Sequence, residues 1–211
     1  MNQFEITFEG QRIALVDTPG FADTSISDTD VLKMIAGFME TSYQDGVLLS
    51  GIIYLHQITH NRVEGPSLRN IDMFQRLCGD SGLKNVILAT TMWDTASTQQ
   101  EINKFVEREQ ELKSDFWNRM IERGSQVRRY YNDRETGEQL IRELVRHEPV
   151  PLDIQYELVV EHKNLVDTAA GSYIDEGLEQ LHQKYQKDLD EYFRMMETSK
   201  SIIRPLQTLT N

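Results

Sequence analysis

Two continuous apolar runs, "VLLSGIIYL" (Val47 to Leu55) and "NVILATTMW" (Asn85 to Trp93), most constrain what this chain can fold into. Strands without polar alternation belong to a sheet covered on both faces, which is the habit of parallel strands joined by helices. Helical spacing flanks them: Val31, Ile35 and Phe38 recur over Asp28 to Tyr43, and Leu68, Ile71, Met73 and Phe74 over Gly65 to Leu77. Ahead of these, "FEITFEGQRIALVDT" alternates Phe4, Ile6 and Phe8, breaks at Glu9-Gly10 and resumes with "IALV". That is a hairpin whose second strand is the more buried. The order predicts a three-layer α/β/α sandwich, where ligands bind beyond the carboxyl ends of the strands.

Later segments read as helix. Ser97 to Arg123 is charged and amphipathic, with Phe105, Leu112, Phe116, Trp117 and Met120 available for packing, and Gln139 to His147 is a shorter helix stopped by Pro149 and Pro151. "LDIQYELVVEHKNLVDTAAG" ends at Gly171, expected as a helix C-terminal cap, and Ser172 opens a last helix. Its apolar positions Ile174, Leu178, Leu181, Tyr185, Leu189, Tyr192 and Met196 form one seam, suited to an intermolecular coiled coil or to an intramolecular helix pair. The expected division is 1–148 as the α/β domain, 149–198 as a helical extension and 199–211 as a tail.

Charge narrows the function classes. The 211 residues carry a formal net charge of −12, so a phosphate backbone would be repelled and nucleic acid is not expected as a partner. The basic and aromatic "RRYYNDR" (Arg128 to Arg134) reads instead as a strand with solvated arginines. A lone cysteine, Cys78, permits no internal disulfide and suits a reducing compartment. No apolar run is long enough for a membrane span, and no signal segment opens the chain. A cytoplasmic protein is expected.

The chemistry gathers at strand ends. Asp17 closes the apolar run of "LVDTPGFADT" and leads into Thr18-Pro19-Gly20. A carboxylate there can hold Mg2+ while the glycine lets a backbone N–H approach a terminal phosphate, although Asp, Pro and Gly also make turns for conformational reasons alone. Farther on, Thr91-Met92-Trp93-Asp94 ends the second apolar run. The Asp94 carboxylate can accept from both N1–H and N2–H2 of guanine, a pair that adenine does not offer. His56, His60 and Arg62 follow a strand end without metal-ligand spacing, and Trp93 suits either the core or a base.

The ordered pair of motifs resembles the Asp-x-x-Gly and Asn/Thr-Lys-x-Asp boxes of a GTPase G domain. "RIALVDTPGFADT", "GIIYLHQIT", "NIDMFQRLCG", "NVILATTMWD" and "LVDTAAG" resemble the fungal G-domain proteins related to septin, chloroplast-import and avirulence-induced GTPases, within the P-loop NTPases. The resemblance implies GTP and Mg2+ as cofactors and Mg2+-dependent hydrolysis of GTP as the parent activity. It places Asp17 near the metal, Thr18, Pro19 and Gly20 along the phosphates, Thr91 and Asp94 at guanine, and Asn132 of "VRRYYND" near the base. It also implies homo-oligomers, through paired G domains or the C-terminal helix.

This sequence departs from the pattern in three ways. Met92 stands where the family has lysine, and Phe21 where small GTPases carry the glutamine that orients water, which implies slow hydrolysis. The phosphate loop G-x-x-x-x-G-K followed by Ser or Thr is absent from the 211 residues. A G domain lacking its first strand and phosphate loop is therefore expected, with nucleotide binding impaired. The alternative is a nucleotide-free pseudo-GTPase acting as an oligomerising or scaffold module.

Overall fold

A computed structural model describes residues 1–21, 26–59 and 66–173. The first element is a hairpin of β1 (Asn2–Phe8) and β2 (Gln11–Asp17), paired antiparallel with Phe8 opposite Gln11. Glu9 and Gly10 form its two-residue turn, both with positive φ (49° and 81°), the twist that matches two flanking strands. Both strands stay largely open to solvent, with Phe4 55% exposed, so β2 is only slightly the more covered.

Helix α1 (Asp28–Gln44) starts at Ser27, whose Oγ accepts from the Asp30 N–H at 3.1 Å. A Schellman motif ends it: the Gly46 N–H donates to Tyr43 O and the Val47 N–H to Ser42 O, with Gly46 at φ 74°. Val47 is therefore consumed in leaving the helix, and β3 (Ile52–Gln57) begins five residues after the apolar run does. Helix α2 (Pro66–Gly82) follows, kinked at Gly79, and leads to β4 (Val86–Thr91).

Beyond β4 the long amphipathic stretch is divided. Helix α3 (Gln99–Glu111), begun by a Thr98–Glu101 capping box, passes into a π-helical turn at Leu112–Phe116 and then into α4 (Asn118–Glu122). Strand β5 (Gln126–Arg129) precedes α5 (Arg134–Leu144). Helix α5 starts five residues earlier than its apolar positions suggest, because the Asp133 carboxylate accepts from the Thr136 N–H at 2.7 Å and caps it there.

Strands β3, β4 and β5 make a parallel sheet in that order, a sheet distinct from the hairpin. In the register Ile53–Ile87 and Tyr54–Leu88, alternate side chains reach opposite faces. On one face Ile87 and Ala89 pack with Leu140 and Leu144 of α5, joined by Ile53 and Tyr130. On the other, Tyr54 meets Phe74 of α2 at 4.8 Å, and His56 meets Trp117 edge-on at 5.6 Å. Helices thus cover both faces, and from Val86 to Thr90 no residue of β4 is more than 1% exposed. Burying Ile87 and Leu88 contributes about 1.5–3 kcal/mol each.

A short helical turn, α6 (Asp153–Gln155), packs on α1 and α2. The buried Gln155 holds it there, its Nε2 donating to Met39 O at 3.2 Å and its Oε1 accepting from the Leu152 N–H at 2.9 Å. Gly171 does not cap a preceding helix. It lies inside helical residues 169–173, whose start is set by Thr168, with Oγ1 accepting from the Gly171 N–H at 3.0 Å. Residues 1–172 form one compact unit. The apolar seam from Ile174 to Met196 and the 199–211 tail lie outside the described residues. Among the described residues no helix is long and apolar enough to cross a membrane.

Candidate functional site at the strand tips

The tip of β4 turns through an unusual backbone. Met92 adopts the left-handed conformation (φ 65°, ψ 27°) without being glycine and leaves its side chain 41% exposed. The Thr95 hydroxyl donates to Met92 O at 2.7 Å and closes the turn. This places the Asp94 side chain at the exposed surface, between the buried Trp93 and the exposed Thr95. Thr91 is half-buried, its hydroxyl 3.4 Å from His56 O across the β3–β4 pair.

The neighbouring tip repeats the pattern. After β5 come the half-buried Tyr130, then Tyr131, 42% exposed, and Asn132, also left-handed (φ 60°) and exposed. The Tyr131 ring lies 6.2 Å from the Trp93 ring. The two tips therefore meet, which brings Thr91, Asp94 and Asn132 to one end of the parallel sheet. Non-glycine residues at positive φ are uncommon, and two on adjacent tips mark an end shaped by its surroundings.

A buried polar cluster supports both tips. Glu109 of α3 is only 3% exposed and accepts two hydrogen bonds from Arg129, Nε to Oε1 at 2.9 Å and an Nη to Oε2 at 2.7 Å. Lys113 adds a contact at 3.2 Å. Burial opposes ionisation of Glu109, but the hydrogen bonds from Arg129 and Lys113 outweigh it and hold the carboxyl below the usual glutamate range. The Arg129 guanidinium covers the Trp93 ring at 4.1 Å, and the indole N–H donates to Thr90 Oγ1 at 2.9 Å. Trp93 is 6% exposed and belongs to the core.

The arginines of β5 are ion-paired rather than simply solvated, Arg128 with Glu143 at 2.9 Å and Arg129 with Glu109. Sequence reasoning passed over Glu109 although a signal was there. It sits four residues after Phe105 and three before Leu112, on the apolar stripe of its own helix, where a carboxylate needs a cation.

Asp17, Thr18, Pro19 and Gly20 lie elsewhere, at the end of β2 and in the segment after it. Asp17, Thr18 and Gly20 are exposed, Pro19 is half-buried, and the space where a Gly20 side chain would project is open. His60 and Arg62 fall outside the described residues. Among the described residues, no group of three or more His, Cys, Asp or Glu could hold a metal ion. A single carboxylate such as Asp17 suits Mg2+ only when phosphates and waters supply the other ligands. The β4–β5 end offers an exposed carboxylate, an exposed amide and apolar surface from Met92 and Tyr131, groups that can hydrogen-bond to and pack on a planar ligand. The 211 residues contain no phosphate-loop sequence that would match a nucleotide's phosphates.

No protein-family model and no curated protein matches the sequence. Solved structures do. Toc33 from Arabidopsis thaliana in complex with GDP and Mg2+ superposes with a TM-score of 0.57 at 13% identity, over 72% of this chain and 73% of that one. A dimerization-deficient mutant of Toc33 gives 0.52 at 11% identity, over 77% and 70%. Toc33 with Mg2+ and GMPPNP gives 0.49 at 16% identity, over 63% of this chain and 57% of that one. At such identities the likeness is one of fold. The chain is thus similar in fold to Toc33, an α/β protein of G-domain-like topology.

Proposed function

We propose that this chain is a guanine-nucleotide-binding protein of the G-domain kind, with GTP and Mg2+ as its ligands and hydrolysis of GTP as the parent activity. The observation that carries this reading is the exposed Asp94 carboxylate at the β4 tip, with Asn132 exposed on the neighbouring β5 tip, on a Toc33-like fold. Asp94 reads N1–H and N2–H2 of guanine, Asn132 and Thr91 border the base, and the thioether of Met92 lies along its face. Asp17 belongs to the metal, with Thr18, Pro19 and Gly20 along the phosphates. Toc33 has been crystallised with GDP and Mg2+, which supports the same ligand class here.

Binding in this chain is weak, because base contacts alone do not replace a phosphate cradle. On this reading a further strand carrying that loop fits between β2 and β3. The hairpin and the parallel sheet are separate, and Leu55 on the edge strand β3 is 62% exposed. Arg142 of α5 contacts the hairpin, pairing with Glu9 at 2.7 Å and lying over the Phe8 ring at 5.3 Å. Pairing of two copies through their G domains or C-terminal helices is part of the reading, since one Toc33 variant is described as dimerization deficient.

The scaffold reading is favoured by Phe21 and by the missing loop, since neither supports turnover. Saturation-transfer NMR with millimolar GTP or ATP tests the choice. Stronger transfer to the guanine than to the adenine protons supports the nucleotide reading. Equal or absent transfer to both supports the scaffold.

A further inference from the structure

We propose that Glu109 and Arg129 are positioning residues that couple the β4 and β5 tips, so that Asp94 and Asn132 are set by one buried ion pair rather than by two independent loops. Arg129 is shared between Glu109 and Trp93 and leads into the β5 tip. Its guanidinium forks onto Glu109 at 2.9 and 2.7 Å, lies 4.1 Å from the centre of the Trp93 ring, and precedes the Tyr131–Asn132 turn by two residues on its own strand. Trp93 separates the left-handed Met92 from Asp94 and is gripped on its other sides by Thr90, through the indole N–H at 2.9 Å, and by Phe105, edge-on at 5.9 Å.

The left-handed Met92 is costly to hold and persists only where the surroundings over-determine it, whereas Asn132 takes the same conformation more readily. The Glu109–Arg129 pair touches both tips at once. A carboxylate only 3% exposed fixes the planar guanidinium bidentately, and that plane in turn presses the indole against the sheet. Without Glu109, the guanidinium, whose side chain is 33% exposed, swings into water and uncovers Trp93. Both tips then lose their common support, although Glu109 lies on α3 and belongs to neither. The meaning of this for guanine rests on the function proposed above; the coupling itself does not.

Amide hydrogen exchange on the ligand-free full chain, comparing the parent with Glu109→Gln and Arg129→Lys, tests the proposal. In Glu109→Gln the Thr95 and Ala96 amides at one tip and the Tyr131 amide at the other should all exchange about tenfold faster, with the buried Leu88 amide unchanged. Arg129→Lys keeps the charge but loses the fork, and should fall between. Acceleration at one tip only, at neither, or equally at Leu88 overturns the coupling; should Glu109→Gln fail to fold, the same criteria are applied to Arg129→Lys. A nucleotide arm separates this from the function. If the GTP-over-ATP preference is present in the parent and lost in Asp94→Asn, it should fall about fivefold in Arg129→Lys, and an unchanged preference there overturns the positioning role. If the parent shows no guanine preference, the functional reading fails while the exchange rates still decide the coupling.

Discussion

Gly79→Ala is the substitution whose cost can be worked most fully from the structure. Gly79 kinks α2 at φ 68° and ψ 165°, a region that essentially only glycine occupies. Placing alanine there costs about 1–3 kcal/mol in backbone strain. A Cβ would also stand 1.9 Å from Asp153 Cγ and 2.1 Å from both its carboxylate oxygens, so α6 must move or Asp153 must leave its rotamer. Forced repacking of that kind costs about 1–3 kcal/mol more. Alanine's narrower unfolded ensemble returns about 0.4–1 kcal/mol, leaving a net loss of roughly 1–5.6 kcal/mol. Urea unfolding measures it, with the denaturant slope unchanged. In an Asp153→Ala background the collision vanishes and the backbone term stays, so the loss should shrink by about 1–3 kcal/mol. A Gly79→Ala protein within about 0.5 kcal/mol of the parent would refute both the kink and the docking of α6.

Three further outcomes follow from other parts of the fold. Ile87→Ala opens a cavity at a position 0% exposed between sheet and α5, and should cost about 2–5 kcal/mol by urea unfolding. Asp133→Ala removes the cap that accepts from the Thr136 N–H and should cost about 1 kcal/mol, with faster amide exchange confined to the first turn of α5. Acid should weaken the Glu109 contribution. The folded pKa of this group lies below the ordinary 4.5, so its stabilisation is complete above that value and lost as pH falls through the lower folded one. The stability gap between the parent and Glu109→Gln should accordingly narrow from pH 7 to pH 3, and a constant gap would contradict the assignment.

Sequence and structure part company where local chemistry competes with hydrophobic pattern. Strand β4 was legible because it is covered on both faces, which leaves an uninterrupted apolar run. The run from Val47 was not all strand, because Gly46 ends α1 in a Schellman motif that takes Val47 as its following residue. The break at Leu112–Phe116 carries no glycine or proline to announce it, and the early start of α5 lay in a capping aspartate rather than in apolar spacing. At the candidate site, the place of Asp94 just past the end of a buried strand was legible, because the apolar run stops there. Its supports were not, since Glu109 and Arg129 stand twenty residues apart and meet only through the β4–β5 pairing and the packing of α3.

On the proposed function Asp94 reads the base, and a swapped nucleotide preference tests that role. An amide at this position can still accept one hydrogen bond but also donates one, which suits the C2 carbonyl of xanthine in place of the amino group of guanine. Transfer signals from GTP, ATP and xanthosine triphosphate are compared for the parent and for Asp94→Asn at equal nucleotide and Mg2+ concentrations. The parent should favour GTP over both others, and Asp94→Asn should lose that preference and favour xanthosine triphosphate. An unchanged order of the three nucleotides in Asp94→Asn would contradict the account.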